Sequence, residues 1–267
     1  MSKLAILIMI IAAIGMIFGL SKQKAGQTWG KPLAIVCAIV ALVVALAQIM
    51  TSGGGASAEG IRDRELKYAN ISAQYLGEYL AENHAGAKAV MIVEPSETEG
   101  LKKSEALSKG LEKGVGGAIE IVAIETPSIP ADMRPATTPD GSPAPLPPRE
   151  VWFTAQAFNQ IVEKYEGKVD LVVTMMGLPG TQQLGRLNIW GMDDVKLAIG
   201  DGSVYELYRQ IKNGKIVAAV SYNPDATYDE EMPPRDLEEA FNKRYLLVTP
   251  QNVEQLAGKY SGLFANR

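Results

Sequence analysis

Histidine and cysteine are almost absent from this sequence, which holds one of each in 267 residues. The lone Cys37 has no partner for an intrachain disulfide. A zinc site built from Cys and His needs more ligands than Cys37 and His84 supply. The Gly-x-Ser-x-Gly motif that marks the nucleophile of an α/β-hydrolase is also missing. We therefore predict no catalytic residues, no metal site and no cofactor, and expect that the protein is not an enzyme.

Nucleotide-binding signatures are lacking as well. The segment "GVGG" at residues 114–117 falls at a predicted helix end, where it indicates a C-cap and not a dinucleotide-binding loop. The segment "GLPGTQQLG" at 177–185 follows a predicted strand but lacks the Lys-Ser/Thr of a P-loop. His84 ends the first helix after the linker, where a cation suits the helix dipole, so we interpret it as structural.

Acidic residues are missing from the first 50 positions, which hold Lys3, Lys22, Lys24 and Lys31. The rest of the chain holds 22 basic and 30 acidic residues, a net charge of −8. An acidic domain is a poor partner for nucleic acid, so we expect no nucleic-acid partner. The two parts of the chain are suited to different surroundings.

Two uncharged apolar runs explain this division. They cover residues 4–20 and 32–50, and a helix needs about 17–25 such residues to cross a bilayer. We predict a transmembrane hairpin at residues 1–50 that contacts the lipid bilayer through both runs. Gly15 and Gly19 are spaced four apart, as are Ala41 and Ala45, and such pairs permit close helix contact. A cleaved signal peptide followed by one anchor remains the alternative.

The loop between the apolar runs holds three of the four lysines of this part. Positively charged loops stay on the cytoplasmic side of the membrane. We therefore expect a protein of the bacterial inner membrane whose C-terminal domain lies on the periplasmic, extracytoplasmic side.

A flexible linker of Gly, Ser and Ala follows at residues 51–60. From residue 61 to residue 267, short apolar strands rich in branched residues alternate with amphipathic helices. Strands that are apolar on both faces are typical of a mostly parallel sheet covered by helices. The sequence thus predicts a Rossmann-like α/β domain in which helices pack on both faces of the sheet.

One segment breaks this alternation. Residues 127–148 hold more than half of the 15 prolines, which excludes a helix or a central strand there. We leave two interpretations open: a disordered surface loop, or an extended arm that lies on a neighbouring subunit.

Several stretches resemble the type 1 periplasmic sugar-binding proteins, the ribose- and galactose-binding class that shares a fold with LacI-type regulators. The stretches that carry the resemblance are "AIGDGS" (198–203), "QIKNGKI" (210–216), "AAVSYNP" (218–224), "YLLVTPQNVEQL" (245–256), "YANISAQYLGEYLAENHAGAKAVMIVE" (68–94) and "FNQIVEKYEGKVDLVVT" (158–174). The family binds its ligand between two lobes. The resemblance here covers about residues 66–256 and implies a single second lobe.

The resemblance also implies candidate ligand-binding residues. Asp201 matches a ligand-contacting Asp of the family, and Gly202, Tyr222, Asn223 and Glu94 fall at neighbouring strand ends. Tyr222 stands where the family often has a polar Gln. A purely structural role, in which Asp201 and Gly202 form the turn before the next helix, stays open.

Where the family often has an Asn-Asp pair, this chain has Met175 and Met176. Met and aromatic residues are enriched at interface cores, so we name Met175, Met176, Leu178 and Trp190 as interface candidates. Our first hypothesis is a membrane-anchored, non-enzymatic assembly or interaction protein, either a homo-oligomer or bound to a membrane partner protein. The alternative is a solute-binding or sensing subunit for a small polar ligand such as a sugar.

Overall fold

A computed structural model describes residues 3–24, 27, 29–30, 32–33, 35–38, 58–95, 101–134, 147–229 and 231–265. The chain divides into two compact units, Met1–Arg62 and Asp63–Arg267.

The first unit contains one long helix, α1, over Lys3–Lys24. Lys22 and Lys24 lie in its last turn, where positive charge suits the helix dipole. In the described part of the chain, no helix combines the length and the apolarity of a membrane span. The prediction of a transmembrane hairpin is therefore not confirmed. Much of its second run, residues 39–50, and most of the predicted linker, residues 51–57, lie outside the described residues.

Within this unit, residues 35–38 form a helical segment that packs closely against α1. A Cβ atom built on Gly15 would lie 2.6 Å from the Cys37 sulfur, so glycine is required for this approach. The rings of Phe18 and Trp29 lie 6.1 Å apart, between centroids. The contact of Gly15 matches the small-residue spacing seen in the sequence, whereas Ala41 and Ala45 lie outside the described residues.

The second unit is a six-stranded sheet with the order β2-β1-β3-β4-β5-β6. Its strands are β1 (Lys88–Ile92), β2 (Glu120–Glu125), β3 (Leu171–Thr174), β4 (Lys196–Ile199), β5 (Ile216–Tyr222) and β6 (Tyr245–Val248). Neighbouring strands pair in parallel from β2 to β5, and β6 pairs antiparallel with β5. The α-helices are α2 (Ala58–Asn83), α3 (Leu101–Val115), α4 (Arg149–Trp152), α5 (Ala155–Lys164), α6 (Tyr208–Lys212), α7 (Leu237–Asn242) and α8 (Val253–Lys259).

Helices cover both faces of the sheet. On one face, α2, α3 and α7 pack over a core that includes Leu76, Leu111 and Phe241. On the other face, α5, α6 and α8 pack over a core that includes Phe158 and Ile211. Strands β3 and β4 are buried along almost their whole length because side chains on both faces contact helices. The predicted α/β class with a mostly parallel sheet is confirmed.

Two details differ from the expected elements. The single helix expected before β3 is split into α4 and α5, because the Thr154 hydroxyl accepts a hydrogen bond from the Ala157 amide at 3.2 Å and caps α5. Of the Pro-rich segment, residues 127–134 and 147–148 are described, with a short 3-10 helix over Ala131–Met133, and residues 135–146 lie outside the described residues.

Candidate functional site

Five parallel strands end at the same edge of the sheet, and we call the part formed by four of them the carboxyl edge. It comprises the residues that follow β1, β3, β4 and β5, namely 93–95, 175–178, 200–203 and 223–224, together with Tyr222 at the end of β5. In open α/β sheets, ligands bind outside the carboxyl ends of the strands, where the strand order reverses. In this sheet the order reverses between β1 and β3.

The turns that follow β3 and β4 touch through two glycines. Gly177 has a φ of 79° and Gly202 a φ of 135°, values that L side chains rarely adopt. A Cβ atom on Gly202 would lie 3.1 Å from the Gly177 Cα atom. The fully buried Thr174 donates a hydrogen bond from its hydroxyl to the Gly177 carbonyl oxygen at 2.6 Å. This close approach fixes the loop that carries Asp201.

Asp201 forms an ion pair with Lys103 from the first turn of α3. The Lys103 Nζ atom lies 2.7 Å from the Asp201 Oδ2 atom, and the lysine side chain is 45% exposed. Burial opposes the charge on Lys103, but the Asp201 carboxylate outweighs it, so the pKa of Lys103 is raised above its usual value. At neutral pH this pair is therefore a lysine cation beside a carboxylate.

A second cation, Arg149, lies at the same place. A Cβ atom built on Gly177 would be 3.7 Å from an Nη atom of Arg149. The positive charge of Arg149 opposes protonation of Lys103, so it partly offsets the rise in the lysine pKa that Asp201 causes. The two cations therefore lie near each other. Among the described residues, Arg149 forms no ion pair with an acidic side chain.

Tyr222 adds an aromatic surface beside this pair. Its side chain is about half exposed, and its ring centroid lies 5.5 Å from that of Tyr245. Burial raises the pKa of the Tyr222 phenol, while the nearby Lys103 opposes the shift. Tyr222 is thus a neutral hydrogen-bonding group at neutral pH.

A cleft of about 560 Å³ lies next to these residues at the carboxyl edge. We call it the hydroxyl cleft because five hydroxyl side chains line it: Ser203, Tyr205, Ser221, Tyr260 and Ser261. The segment after α8 reaches the cleft because the Ala265 amide donates a hydrogen bond to the Tyr205 carbonyl oxygen at 2.8 Å.

The structure brings three of the five predicted ligand-binding residues together. Asp201 and Gly202 are adjacent in the chain. Asp201 also lies near Tyr222, because its negative charge raises the pKa of the Tyr222 phenol. Glu94 lies half-buried at the end of β1. The Asn223 side chain is used in local structure, since it donates to the Asn242 carbonyl oxygen at 3.0 Å and accepts from the Asp225 amide at 2.9 Å.

The predicted interface residues lie mostly inside the domain. Met175 is 2% exposed and Met176 is 1% exposed, and the two belong to the cores on opposite faces of the sheet. Leu178 and Trp190 are partly buried, and the Trp190 indole donates to the Leu184 carbonyl oxygen at 2.6 Å. The two methionines therefore have almost no surface to offer a partner, and a role at an interface stays a prediction for Leu178 and Trp190.

A larger cleft, of about 950 Å³, lies at the opposite edge of the sheet. Two contacts at this edge stabilise the fold: the Asp170 carboxylate accepts from the Lys88 amide at 2.8 Å, and the buried Lys215 donates to the carbonyl oxygens of Met192 and Val195, which line the cleft. Within the described ranges, no three acidic, Cys or His side chains are grouped as metal ligands. We therefore place the candidate site at the carboxyl edge.

Comparison with known proteins gives likeness of structure alone. No protein-family profile matches the chain, and no curated protein matches it in sequence. Among solved structures, it is similar to an arabinose-binding protein from Geobacillus stearothermophilus (12% identity, TM-score 0.41, 70% of this chain and 62% of that one). It is also similar to a substrate-binding protein of a sugar ABC transport system from Bordetella parapertussis (14%, 0.44, 70% and 57%).

A third similar structure is a myo-inositol-binding protein from Caulobacter, bound to myo-inositol (16% identity, TM-score 0.42, 72% of this chain and 62% of that one). The chain thus spans about three fifths of the length of these proteins.

Several residues of the site were not found from the sequence. Lys103 lies 98 residues before its partner Asp201, at the start of a helix whose sequence shows only an ordinary amphipathic pattern. Arg149 follows a run of prolines, and Tyr260 and Ser261 belong to the closing segment of the chain. Their only signal is the position of each at a helix end, and many surface residues share it.

Proposed function

We propose that this chain is a solute-binding module that binds a small polyhydroxylated solute, such as a sugar, at the carboxyl edge. The observation that supports this best is the hydroxyl cleft, whose five hydroxyl side chains lie beside the turn that carries Asp201. Its volume falls within the range of about 300–1,000 Å³ typical of small-molecule sites. Hydroxyl groups both donate and accept hydrogen bonds, so they suit a solute that does the same.

Binding in this site would divide into two parts. The hydroxyls of Ser203 and Ser221 would exchange hydrogen bonds with the solute, and the rings of Tyr205 and Tyr260, which line the cleft, would cover an apolar face. The carboxyl edge is open to solvent on one side, so a second wall is needed to enclose a solute. We propose that another copy of this chain or a membrane partner supplies that wall.

The test is ligand-dependent stabilisation of the purified full-length chain in detergent. A solute at a hundred times its dissociation constant should add about 2.7 kcal/mol, which raises the melting temperature by about 5–10 °C for a domain of this size. Ser203→Ala, in the hydroxyl cleft, should reduce the shift, and Ser108→Ala, on α3 and outside the cleft, is the matched control. If no sugar, polyol or sugar acid in the panel raises the melting temperature of the wild type, the proposal is wrong.

A second candidate function is assembly, and the observation that favours it is the edge strand β2. Val122 is 37% exposed and Ile124 is 50% exposed on this strand, which leads directly into the Pro-rich segment 127–148. An exposed apolar edge strand is a surface for pairing with another chain. A homo-oligomer would cover these residues with the strand or the Pro-rich segment of a neighbour.

Light scattering on the detergent-solubilised chain tests assembly. We expect one discrete oligomer that dissociates when residues 127–148 are deleted. A monomer before and after the deletion would exclude the homo-oligomeric form of this candidate.

We further propose that residues 4–20 and 32–50 anchor the chain in the inner membrane with the solute-binding domain outside the cytoplasm. Support for this comes from the sequence: both runs are uncharged, and the loop between them is basic. After expression in bacteria, the chain should resist extraction by alkaline carbonate, and protease added to spheroplasts should digest its C-terminal domain. Release by carbonate would contradict the anchor, and protection from protease would contradict the orientation.

A further inference from the structure

We infer that the solute carries an anionic group, and that Lys103 and Arg149 select it. The class that combines this group with the hydroxyl cleft is the sugar acids, which are polyhydroxylated carboxylates. This inference rests on the proposed function and narrows it to one chemical class.

Positive charge is in excess at the part of the carboxyl edge around Asp201. Lys103 and Arg149 lie close enough for Arg149 to disfavour protonation of the lysine, and Asp201 is the one described carboxylate that counters them there. Two other cations near this edge already have acidic partners: Arg244 donates two hydrogen bonds of 2.9 Å to Glu65, and Lys259, which lines the hydroxyl cleft, lies 3.3 Å from Asp225. An anion placed between Lys103 and Arg149 would bring two cations and two anions together.

Both cations keep donors that form no hydrogen bond with another described residue. The ammonium group of Lys103 has three hydrogen-bond donors. Among the described residues, it donates one hydrogen bond, to Asp201. The lysine side chain is 45% exposed, so solvent and solute can reach it. Arg149 offers a planar guanidinium, which matches both oxygens of a carboxylate.

The hydroxyl cleft and the ion pair of Lys103 with Asp201 lie a short distance apart. Ser203 lines the hydroxyl cleft two residues after Asp201, the partner of Lys103. Two residues of extended chain span at most about 7 Å. One small solute can therefore place hydroxyl groups in the cleft and a carboxylate beside Lys103 and Arg149.

Lys103 also determines the role of Asp201. While the lysine holds the Asp201 carboxylate, the negative charge of that carboxylate is neutralised and an anionic solute is tolerated. Without the lysine, the same carboxylate would repel an anion and would be free to accept a hydroxyl from a neutral sugar. Selection against the wrong solute by a repulsive charge is a common source of specificity.

The experiment measures dissociation constants by titration calorimetry on the full-length chain in detergent, with two matched pairs of solutes: glucuronate with glucose, and galacturonate with galactose. We expect the wild type to bind the acid of at least one pair about ten- to a hundredfold more tightly than the neutral sugar, the range expected of one charge-assisted hydrogen bond. Lys103→Met and Arg149→Gln should each remove most of this preference and leave the affinity for the neutral sugar within about threefold.

Two further kinds of variant serve as controls for this experiment. The double variant Lys103→Met/Asp201→Asn removes one cation and one anion together, so it leaves no unpaired carboxylate and keeps Arg149 as an uncompensated cation, and it should keep part of the preference for the acid that Lys103→Met loses. The matched controls are Lys212→Met and Arg209→Gln. Lys212 forms an exposed ion pair with Glu254 in another part of the domain, and Arg209 lies exposed on α6. Both controls should keep the wild-type preference.

The outcomes separate the two proposals. Equal affinity for acid and neutral sugar in the wild type, or an unchanged preference in Arg149→Gln, overturns the inference and leaves the proposed function standing. Binding of neither solute in either pair, together with a failed panel, overturns both. If Lys103→Met does not fold, as judged by circular dichroism, Arg149→Gln and the double variant decide the question.

Discussion

His84 is the one imidazole of the chain, and it follows the last residue of α2. The sequence suggested a cation that interacts with the helix dipole. In the structure, burial lowers the pKa of His84, and the nearby Lys196 lowers it further. Desolvation and a like charge thus outweigh the helix end. We expect an imidazole pKa below its ordinary value of 6.5. A pH titration of the single histidine signal by NMR measures it directly.

The same shift makes stability depend on pH. A lowered pKa means that the folded chain binds the proton less readily than the unfolded chain, so His84 contributes stability above its unfolded pKa of about 6.5. That contribution is lost as the pH falls through the folded pKa. Urea unfolding at pH 7.5 and 5.5 should show a larger loss for the wild type than for His84→Gln. Equal losses would contradict the assigned cause.

Single residues also show how far a sequence can predict a site. Asp201 was named because it matches a ligand-contacting Asp of the family that the sequence resembles, and Gly202 and Tyr222 because they lie at neighbouring strand ends, which meet at one edge of a parallel sheet. Whether they bind a ligand stays a prediction. Lys103 and Arg149 were missed because they come from the starts of helices, where an exposed cation is common and carries no pattern of its own. Met175 and Met176 were placed at a surface on chemical type alone, whereas the helices on both faces of the sheet bury them.

At the level of elements, helices α2 and α3 pack closely against each other at glycine residues. Gly110 and Gly114 of α3 are spaced four apart, and a methyl group on either would overlap a carbonyl oxygen of α2, that of Asn70 or that of Gln74. On the facing helix, a Cβ atom on Gly77 would lie 2.7 Å from the Leu111 carbonyl oxygen. Small residues at this spacing let two helices pack backbone against backbone.

We predict that Gly114→Ala destabilises the domain. In a helix, Gly→Ala ordinarily stabilises by about 1 kcal/mol. In α3 the added methyl group must push two helices apart over a buried core, and overpacking of this kind typically costs about 1–3 kcal/mol. The steric cost should win, with a net loss of about 1–2 kcal/mol. Chemical denaturation of wild type and variant measures it.

Gly258 of α8 is the matched control, because a Cβ atom there would contact nothing within 4 Å. Gly258→Ala should stabilise by about 0.5–1 kcal/mol. If both variants shift stability in the same direction, close packing of α2 on α3 is not what requires glycine at position 114.

The elements themselves were largely predictable, and their pairing was less so. Short apolar runs rich in branched residues predict all six strands, and the signal is clearest for β3 and β4, which are buried on both faces. The antiparallel direction of β6 has no such signal, because the segment between β5 and β6 contains one short helix, as a parallel crossover would. The split between α4 and α5 depends on one capping threonine, which resembles any other threonine in the pattern.

At the scale of the whole molecule, α2 crosses the boundary between the two units, yet most of its buried side chains belong to the second. Tyr68, Leu76 and Leu80 are each 0% exposed. Burial of a large apolar side chain contributes about 2 kcal/mol, so these three contribute roughly 6 kcal/mol. The total stability of a domain is only about 5–15 kcal/mol. The boundary of a stable fragment should therefore precede α2.

We predict that a fragment of residues 58–267 folds with one cooperative transition in urea, whereas a fragment of residues 86–267 does not. The shorter fragment lacks α2, so it exposes the core face formed by Leu111 and Phe241 and loses the stacking of Tyr75 on Phe241, whose ring centroids are 4.1 Å apart. Circular dichroism, the urea transition and dye binding compare the two. Adding α2 back as a peptide should restore the transition of the shorter fragment. A cooperative transition in residues 86–267 alone would show that the α3 side of the sheet is stable without α2, contrary to the burial of α2.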